Sequence, residues 1–216
     1  MTIGETQDWY AAVADRTQTR VFAAGDIIAV QGEEVESVGY ILSGRAKAVT
    51  YSEDGTATWV GYFELGEFFG HVSLLADTSL SFEISAETDV RAVMVSTNTM
   101  RDVITREKAL GLHLANDLAR RLDMMTRRLI EAFTLSAKGR VCAELARLSN
   151  VIGIMPEHHI IRPNPVFVDV ALRVNSTRET VSRTVSDLQK KGIIEREAGA
   201  LVILDPARLK AAIHAY

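Results

Sequence analysis

The sequence predicts an α+β fold in three parts: an N-terminal β-roll of jelly-roll type, a long helix, and a C-terminal winged helix-turn-helix. Three observations carry that expectation. Glycine-centred turns punctuate the early chain at Gly25, Gly32, Gly44, Gly55 and Gly66, the even rhythm of an all-β sandwich or barrel. No proline or glycine interrupts the stretch from Leu112 to Lys138, where apolar residues recur at helical spacing. Near the C-terminus, Asn175-Ser176-Thr177-Arg178-Glu179-Thr180-Val181-Ser182-Arg183-Thr184 reads as a turn entering a helix, and two apolar runs around a tight turn follow it.

Between the glycines lie short β-prone runs: Ile27 to Val30, Tyr40 to Leu42, Lys47 to Tyr51 and Trp59 to Phe63. Asp54-Gly55 marks a hairpin, because glycine supplies the positive φ that a tight β-turn requires. The pattern breaks from His71 to Leu80 and strand character returns at Glu83 to Ala86 and Val90 to Val95. From about Asn98 the period turns helical. Leu114, Leu118, Leu122, Met125 and Leu129 form an apolar stripe. Leu118, Leu122, Met125, Leu129 and Ala132 alternate steps of four and three, the seam of a two-stranded coiled coil. Packing of this helix on its own β-roll is the competing reading, but a helix-turn-helix usually works as a two-fold dimer, which favours a homodimer interface here. The expected boundaries are 1–97 for the β-roll sensor domain, 98–135 for the dimerisation helix and hinge, and 136–216 for the winged helix-turn-helix domain.

In that last domain, Val168 to Val174 reads as a short helix with Asn164 as N-cap and Pro165 at the first helical position. Asn175 tolerates the left-handed conformation that two helices meeting steeply require. On the next helix Glu179, Ser182, Arg183 and Ser186 share one face, and Val181, Val185 and Leu188 share the opposite one. Arginine reads guanine O6/N7, glutamate a cytosine amino group and serine either partner, so the polar face suits a DNA major groove. A polar face is by itself usually a solvated one; the Asn175 turn, the Ser-Thr helix start and the wing together favour recognition. Lys191-Gly192 stops the helix. Ile193 to Arg196 and Leu201 to Leu204 then flank Glu197-Ala198-Gly199-Ala200 as a β-hairpin wing. Thr177, Arg178, Glu179, Ser182, Arg183 and Lys190 are the candidate DNA-binding residues, with Lys190 as a phosphate contact.

The whole chain has 216 residues and is slightly acidic, 24 Lys+Arg against 28 Asp+Glu. The local field differs, since Arg162, Arg173, Arg178, Arg183, Lys190, Lys191 and Arg196 outnumber Asp169, Glu179, Asp187 and Glu195 over the DNA-reading region. That asymmetry suits a neutral or acidic sensor joined to a basic reader. The lone Cys142 excludes an intramolecular disulfide and any cluster needing four cysteines from one chain. Its place on an apolar helix face reads as core packing, with a redox switch as the alternative. His158-His159 lacks two further ligands at useful spacing, so no metal is expected. There is no nucleophile-elbow motif and no phosphate-cradling glycine loop, so an enzyme is not expected. No apolar run reaches membrane-spanning length, and Met1 to Glu5 lacks the charged-then-apolar pattern of an export signal, which leaves the cytoplasm as the expected location and no membrane as partner.

These residues closely resemble the Crp/Fnr family of bacterial transcription regulators over nearly the full length. The resemblance rests on Ala24-Gly25-Asp26-Ile27-Ile28, Tyr40-Ile41-Leu42-Ser43-Gly44, Gly66-Glu67-Phe68-Phe69-Gly70, Leu118-Ala119-Arg120-Arg121-Leu122 and, most specifically, Thr177 to Arg183. It implies a cyclic-nucleotide-binding fold, a dimerisation helix and a DNA-binding domain. The Glu-x-x-Ser-Arg pattern of the FNR branch falls on Glu179, Ser182 and Arg183, whereas the cAMP-receptor branch usually has glycine where Ser182 stands. A palindromic double-stranded site with TGA-type half-sites is implied, and RNA polymerase is a further partner if the protein activates. A ligand-sensing subunit acting on a protein partner instead of DNA is the alternative.

The sensor departs from the family. The ribose-binding glutamate of cAMP-binding members is replaced by His71, and their phosphate-binding arginine falls on Leu80 or Ser81. The next arginine, Arg91, lies in the following strand. Without a cationic fork a buried phosphate loses its charge-assisted hydrogen bonds. Thr126 matches the family's ligand-touching position on the long helix, but a hydroxyl does not replace an arginine. The cassette reads as degenerate: cAMP is expected not to bind, and an uncharged effector near His71, Ser81, Met125 and Thr126, or no effector, is expected instead. An FNR-type iron–sulfur switch is excluded by the single cysteine. Haem-sensing relatives draw attention to His71 and His113, but a lone histidine in a β-roll is usually a surface or hydrogen-bonded residue, so no cofactor is expected.

Overall fold

A computed structural model describes residues 14–152 and 159–215 of the chain, which divides into two compact units, 1–124 and 125–216. The first unit is a β-roll. Strands β1 (Thr17–Phe22), β2 (Ile27–Ala29), β3 (Ser37–Ser43), β4 (Ala46–Tyr51), β5 (Ala57–Phe63), β6 (Phe68–Phe69), β7 (Glu83–Ala86) and β8 (Val90–Ser96) form two antiparallel sheets, ordered β1-β8-β3-β6 and β2-β7-β4-β5. Their inner faces close over Phe22, Ile41, Phe63, Phe69, Ile84 and Val90. Gly39 on β3 is required by this packing, because a Cβ there would lie 1.8 Å from the Phe69 ring. At the β4–β5 tip Gly55 has φ 79°. The Asp54 carboxylate accepts hydrogen bonds from the Ser52 hydroxyl and the Thr56 backbone N–H. These bonds lower its pKa to about 2.

The break between Phe69 and Glu83 is a short helix, α1 (His71–Ala76), entered through Gly70 at φ 80°. Helix α2 (Thr97–Arg106) is N-capped by Ser96, whose side chain accepts from Thr99 N–H, and it ends at an extended Glu107 before the long helix α3 (Lys108–Thr134). The expected single helix from Asn98 is therefore two. The apolar stripe also divides. Leu114 is buried with Val38, Phe68, Met100 and Leu110 in a core of the β-roll, and Leu118 is half-buried. Leu122, Met125 and Leu129 are 68%, 45% and 58% exposed in the single chain, and Ile130 and Phe133 beside them are exposed as well.

The second unit holds α4 (Ala137–Ile152), β9 (His159–Ile161), α5 (Phe167–Arg173), α6 (Arg178–Lys190), β10 (Ile194–Glu197), β11 (Ala200–Ile203) and α7 (Pro206–Ala215). Its core joins Val141, Leu145, Val170, Val181, Val185, Leu188, Ile194 and Leu201. The wing hairpin pairs Glu197 with Ala200 across Ala198-Gly199, and β9 adds a third antiparallel strand against β11. The start of α5 corrects the sequence reading. Val166, not Asn164, occupies the N-cap and offers no side-chain bond. Asn164 instead turns to the wing: its backbone N–H donates to Gly199 O at 3.1 Å and its side-chain amide to Glu197 O at 3.3 Å. A long-range bond has displaced the local capping rule.

Candidate nucleic-acid interface

Helix α6 is built to bury one face and present the other. Val181, Val185 and Leu188 are 0%, 1% and 0% exposed, anchoring the helix in the core of its unit. Thr184 on the same side satisfies its buried hydroxyl by donating to Thr180 O at 2.7 Å. Glu179, Ser182, Arg183 and Ser186 are all exposed, as are Arg178 and Lys190. Thr177 serves as N-cap, its side chain accepting from Thr180 N–H at 3.2 Å. That bond engages the Thr177 hydroxyl in starting the helix. The preceding turn passes through Asn175 at φ 46°, the left-handed conformation read from the sequence. The helix ends at Lys191, with Gly192 at φ 64° beyond it.

Arg183 donates to Glu179 Oε1 at 2.5 Å one turn back, with both side chains largely in solvent. One guanidinium nitrogen is engaged by Glu179 while the side chain as a whole stays in solvent. Lys138 lies 3.2 Å from Asp187 on the flank of α6, which pairs one acidic side chain beside the polar face with a cation. On the wing, the Arg196 guanidinium rests 4.8 Å over the Phe167 ring.

In the β-roll unit the sensor candidates His71 and Ser81 have different surroundings. His71 is fully buried, with Nε2 3.1 Å from Asp117 Oδ2 on α3. Asp117 also accepts from Arg121 Nε at 2.8 Å. Arg121 lies 4.4 Å over the Phe63 ring and 3.7 Å from Glu67. Burial raises the Asp117 pKa, but bonds from His71 and Arg121 outweigh it and hold the carboxyl well below the usual range. Glu67 is pushed up by burial, against the pull of a backbone N–H and Arg121. Ser81 is exposed between α1 and β7, and Met125 and Thr126 are exposed on α3 in the other unit. A recess of ≈ 450 Å³ opens in the roll beside the chain neighbours of His71 and Ser81: Gly70 and Leu80 line it with Ile28, Phe69 and Ile84, as do Glu33, Glu34 and Glu36, and Arg20 is the one cation among its described lining residues.

The His71 Nε2 is engaged by Asp117, and the His113 ring stacks edge-on 5.7 Å from Phe68. No group of three His, Cys, Asp or Glu among the described residues could hold a metal ion. His158 lies outside the described residues. Cys142 is fully buried, and burial pushes its thiol up to about 11, which suits packing and suppresses the thiolate. No helix among the described residues is long and apolar enough to cross a membrane. Asp117 and Arg121 carry no local signal in the sequence, since their partners His71 and Glu67 are far away in the chain.

Two family models match the chain: a cyclic nucleotide-binding domain over residues 19–107 and a Crp-like helix-turn-helix domain over residues 139–212. The CRP-like cAMP-activated global transcriptional regulator of Mycobacterium tuberculosis is 25% identical, over 92% of this chain and 89% of its own length. The transcriptional regulator SdrP of Thermus thermophilus is 28% identical, over 89% and 93% respectively. Among solved structures, a CooA variant from Carboxydothermus hydrogenoformans superposes with a TM-score of 0.82 at 20% identity, covering 96% of this chain and 93% of that one.

Proposed function

The chain belongs to the Crp/Fnr family of DNA-binding transcription regulators, and from that premise we propose a homodimer that reads a palindromic site with TGA-type half-sites. It is a regulator and not an enzyme. The observation that carries the finer reading is α6: Glu179, Ser182 and Arg183 stand in solvent on a helix whose opposite face is fully buried. A two-fold axis along α3 would give the dimer the symmetry of a palindrome. The exposed Leu122, Met125 and Leu129 continue the half-buried Leu118 as an apolar seam, which a second copy of the same helix would cover with matching knobs and holes. If the protein activates transcription, RNA polymerase is its further partner.

The β-roll couples a signal to DNA affinity, and that signal is not cAMP. A cyclic phosphate in the recess would meet three glutamates against Arg20, and Arg121 is already engaged by Asp117 and Glu67. Charge of that sign repels an anion, and no cationic fork repays its desolvation. An effector acts only by binding the DNA-competent and incompetent states unequally; a protein without one binds DNA as purified. Selection of bound duplexes from a random pool tests the reading. Recovery of inverted repeats with TGA half-sites is expected, and a pool with no enriched sequence would refute it.

A further inference from the structure

The second unit contains a partly buried ion cluster, centred on Glu144, that lies apart from the exposed residues of the reading face. The Glu144 carboxylate on α4, 3% exposed, meets three guanidinium groups: Arg147 Nε at 3.0 Å, Arg173 Nη1 at 3.3 Å and Arg128 Nη2 at 3.6 Å. Arg147 reaches on to Glu131 at 2.6 Å, and Arg128 Nη1 donates to the Arg173 carbonyl at 3.3 Å. Three helices converge there, with Arg128 and Glu131 on the last turns of α3, Glu144 and Arg147 on α4, and Arg173 closing α5. Beside the cluster Arg140 grips three carbonyls: Leu135 at the α3–α4 joint at 3.1 Å, Val174 at 2.8 Å and the left-handed Asn175 at 3.1 Å. Asn175 opens the turn into α6. The end of α3 is thus tied by ions and hydrogen bonds to the origin of the reading helix.

Well-packed apolar side chains often stabilise such a position as well as buried charges do, so a paired ionic cluster is weak evidence for a purely stabilising role. Its distinctive property is directional: each guanidinium accepts few orientations, and several charge-assisted contacts converging on one carboxylate restrain the elements that contribute to them. We propose that Arg128, Glu131, Glu144, Arg147 and Arg173 are positioning residues that set the angle of α5 and α6 against the end of α3, and so set the spacing between half-sites that the dimer accepts. The inference rests on the reading of a homodimer on a palindrome. In such a dimer the two recognition helices lie about one DNA turn apart, and one inserted base pair rotates a half-site by roughly 34°. A rigid head rejects that rotation; a loosened head follows it.

The test uses the full chain and palindromes at the selected spacing or with one base pair inserted or removed. Arg128→Met cuts the ties from α3 to Glu144 and to the Arg173 carbonyl at the end of α5, keeps the Glu131–Arg147 pair, and leaves Glu131 and Glu144 balanced by Arg147 and Arg173, so the variant retains paired charges. The preference of the wild type for its own spacing, measured as a ratio of affinities, is expected to shrink by about 2- to 30-fold in Arg128→Met, the range produced by mutating coupling elements. Arg128→Lys keeps the charge and is expected to recover part of the ratio. A loss equal at all spacings would show that the cluster only stabilises the unit and would overturn the proposal, as would a ratio unchanged from wild type. A wild type that binds DNA with no spacing preference would instead refute the palindrome reading, and this inference with it.

Discussion

Replacing Arg183 with alanine separates base reading from folding. The side chain belongs to an exposed i,i+4 pair with Glu179, both about 70% in solvent (71% and 69%), and such pairs contribute only about 0.3–0.5 kcal/mol. Alanine is also the better helix former, and the buried face of Val181, Val185 and Leu188 is untouched. The melting transition is therefore expected to stay within about 0.5 kcal/mol of wild type. On DNA, a bidentate arginine–guanine contact discriminates by about 1–3 kcal/mol. A palindrome contains that contact twice, which gives about 2–6 kcal/mol if the half-sites add. Fluorescence anisotropy on the selected palindrome and on a scrambled duplex, at one salt concentration, measures both. The expected result is a large loss on the palindrome and a small one on scrambled DNA. Equal losses on the two duplexes would remove Arg183 from base reading.

Lys190→Ala supplies the opposite pattern, weakening all sequences alike and lowering the slope of log affinity against log salt by about one. Leu122→Glu, which places a charge at a 68%-exposed seam position, is expected to give a folded monomer by sedimentation that no longer binds the palindrome; a dimeric Leu122→Glu would move the interface elsewhere. The depressed Asp117 pKa contributes stability that is present above the unfolded carboxylate pKa and is lost as pH falls through the folded one. Asp117→Asn should therefore flatten the acid limb of the wild-type stability curve, and an unchanged limb would argue against the pairing with His71 and Arg121. Isothermal calorimetry with cAMP is expected to give no binding tighter than about millimolar, the −4 kcal/mol level, and no change in DNA affinity; micromolar binding with a matching rise in DNA affinity would reverse the reading of the cassette.

The features legible in the sequence are those governed by local rules. The opposed faces of α6, the left-handed Asn175 and the Gly199 wing turn each follow from spacing or backbone chemistry, and each stands where those rules put it. The start of α5 was not legible, because Asn164 satisfies the N-cap rule on paper but spends its donors on Glu197 and Gly199. Strand β1 escaped because Thr17-Gln18-Thr19-Arg20 is polar and lies at a sheet edge, where only pairing with β8 reveals it. Periodicity identified the stripe on α3 but not the surface each residue faces: Leu114 enters the core of the β-roll while Leu122 stays in solvent. The contacts of His71 with Asp117 and of Arg128 with Glu144 and Arg173 join elements distant in the chain, and no local pattern encodes such pairs.

In the proposed function two copies of this chain read one inverted repeat without a bound cyclic nucleotide. Stoichiometric titration of the purified chain, nucleotide-free, onto a duplex with two TGA-type half-sites tests it most directly. Two chains per duplex are expected, with an affinity about a thousandfold or more above that for the same duplex with both half-sites scrambled. One chain per duplex, or equal affinity for the scrambled DNA, would contradict the account.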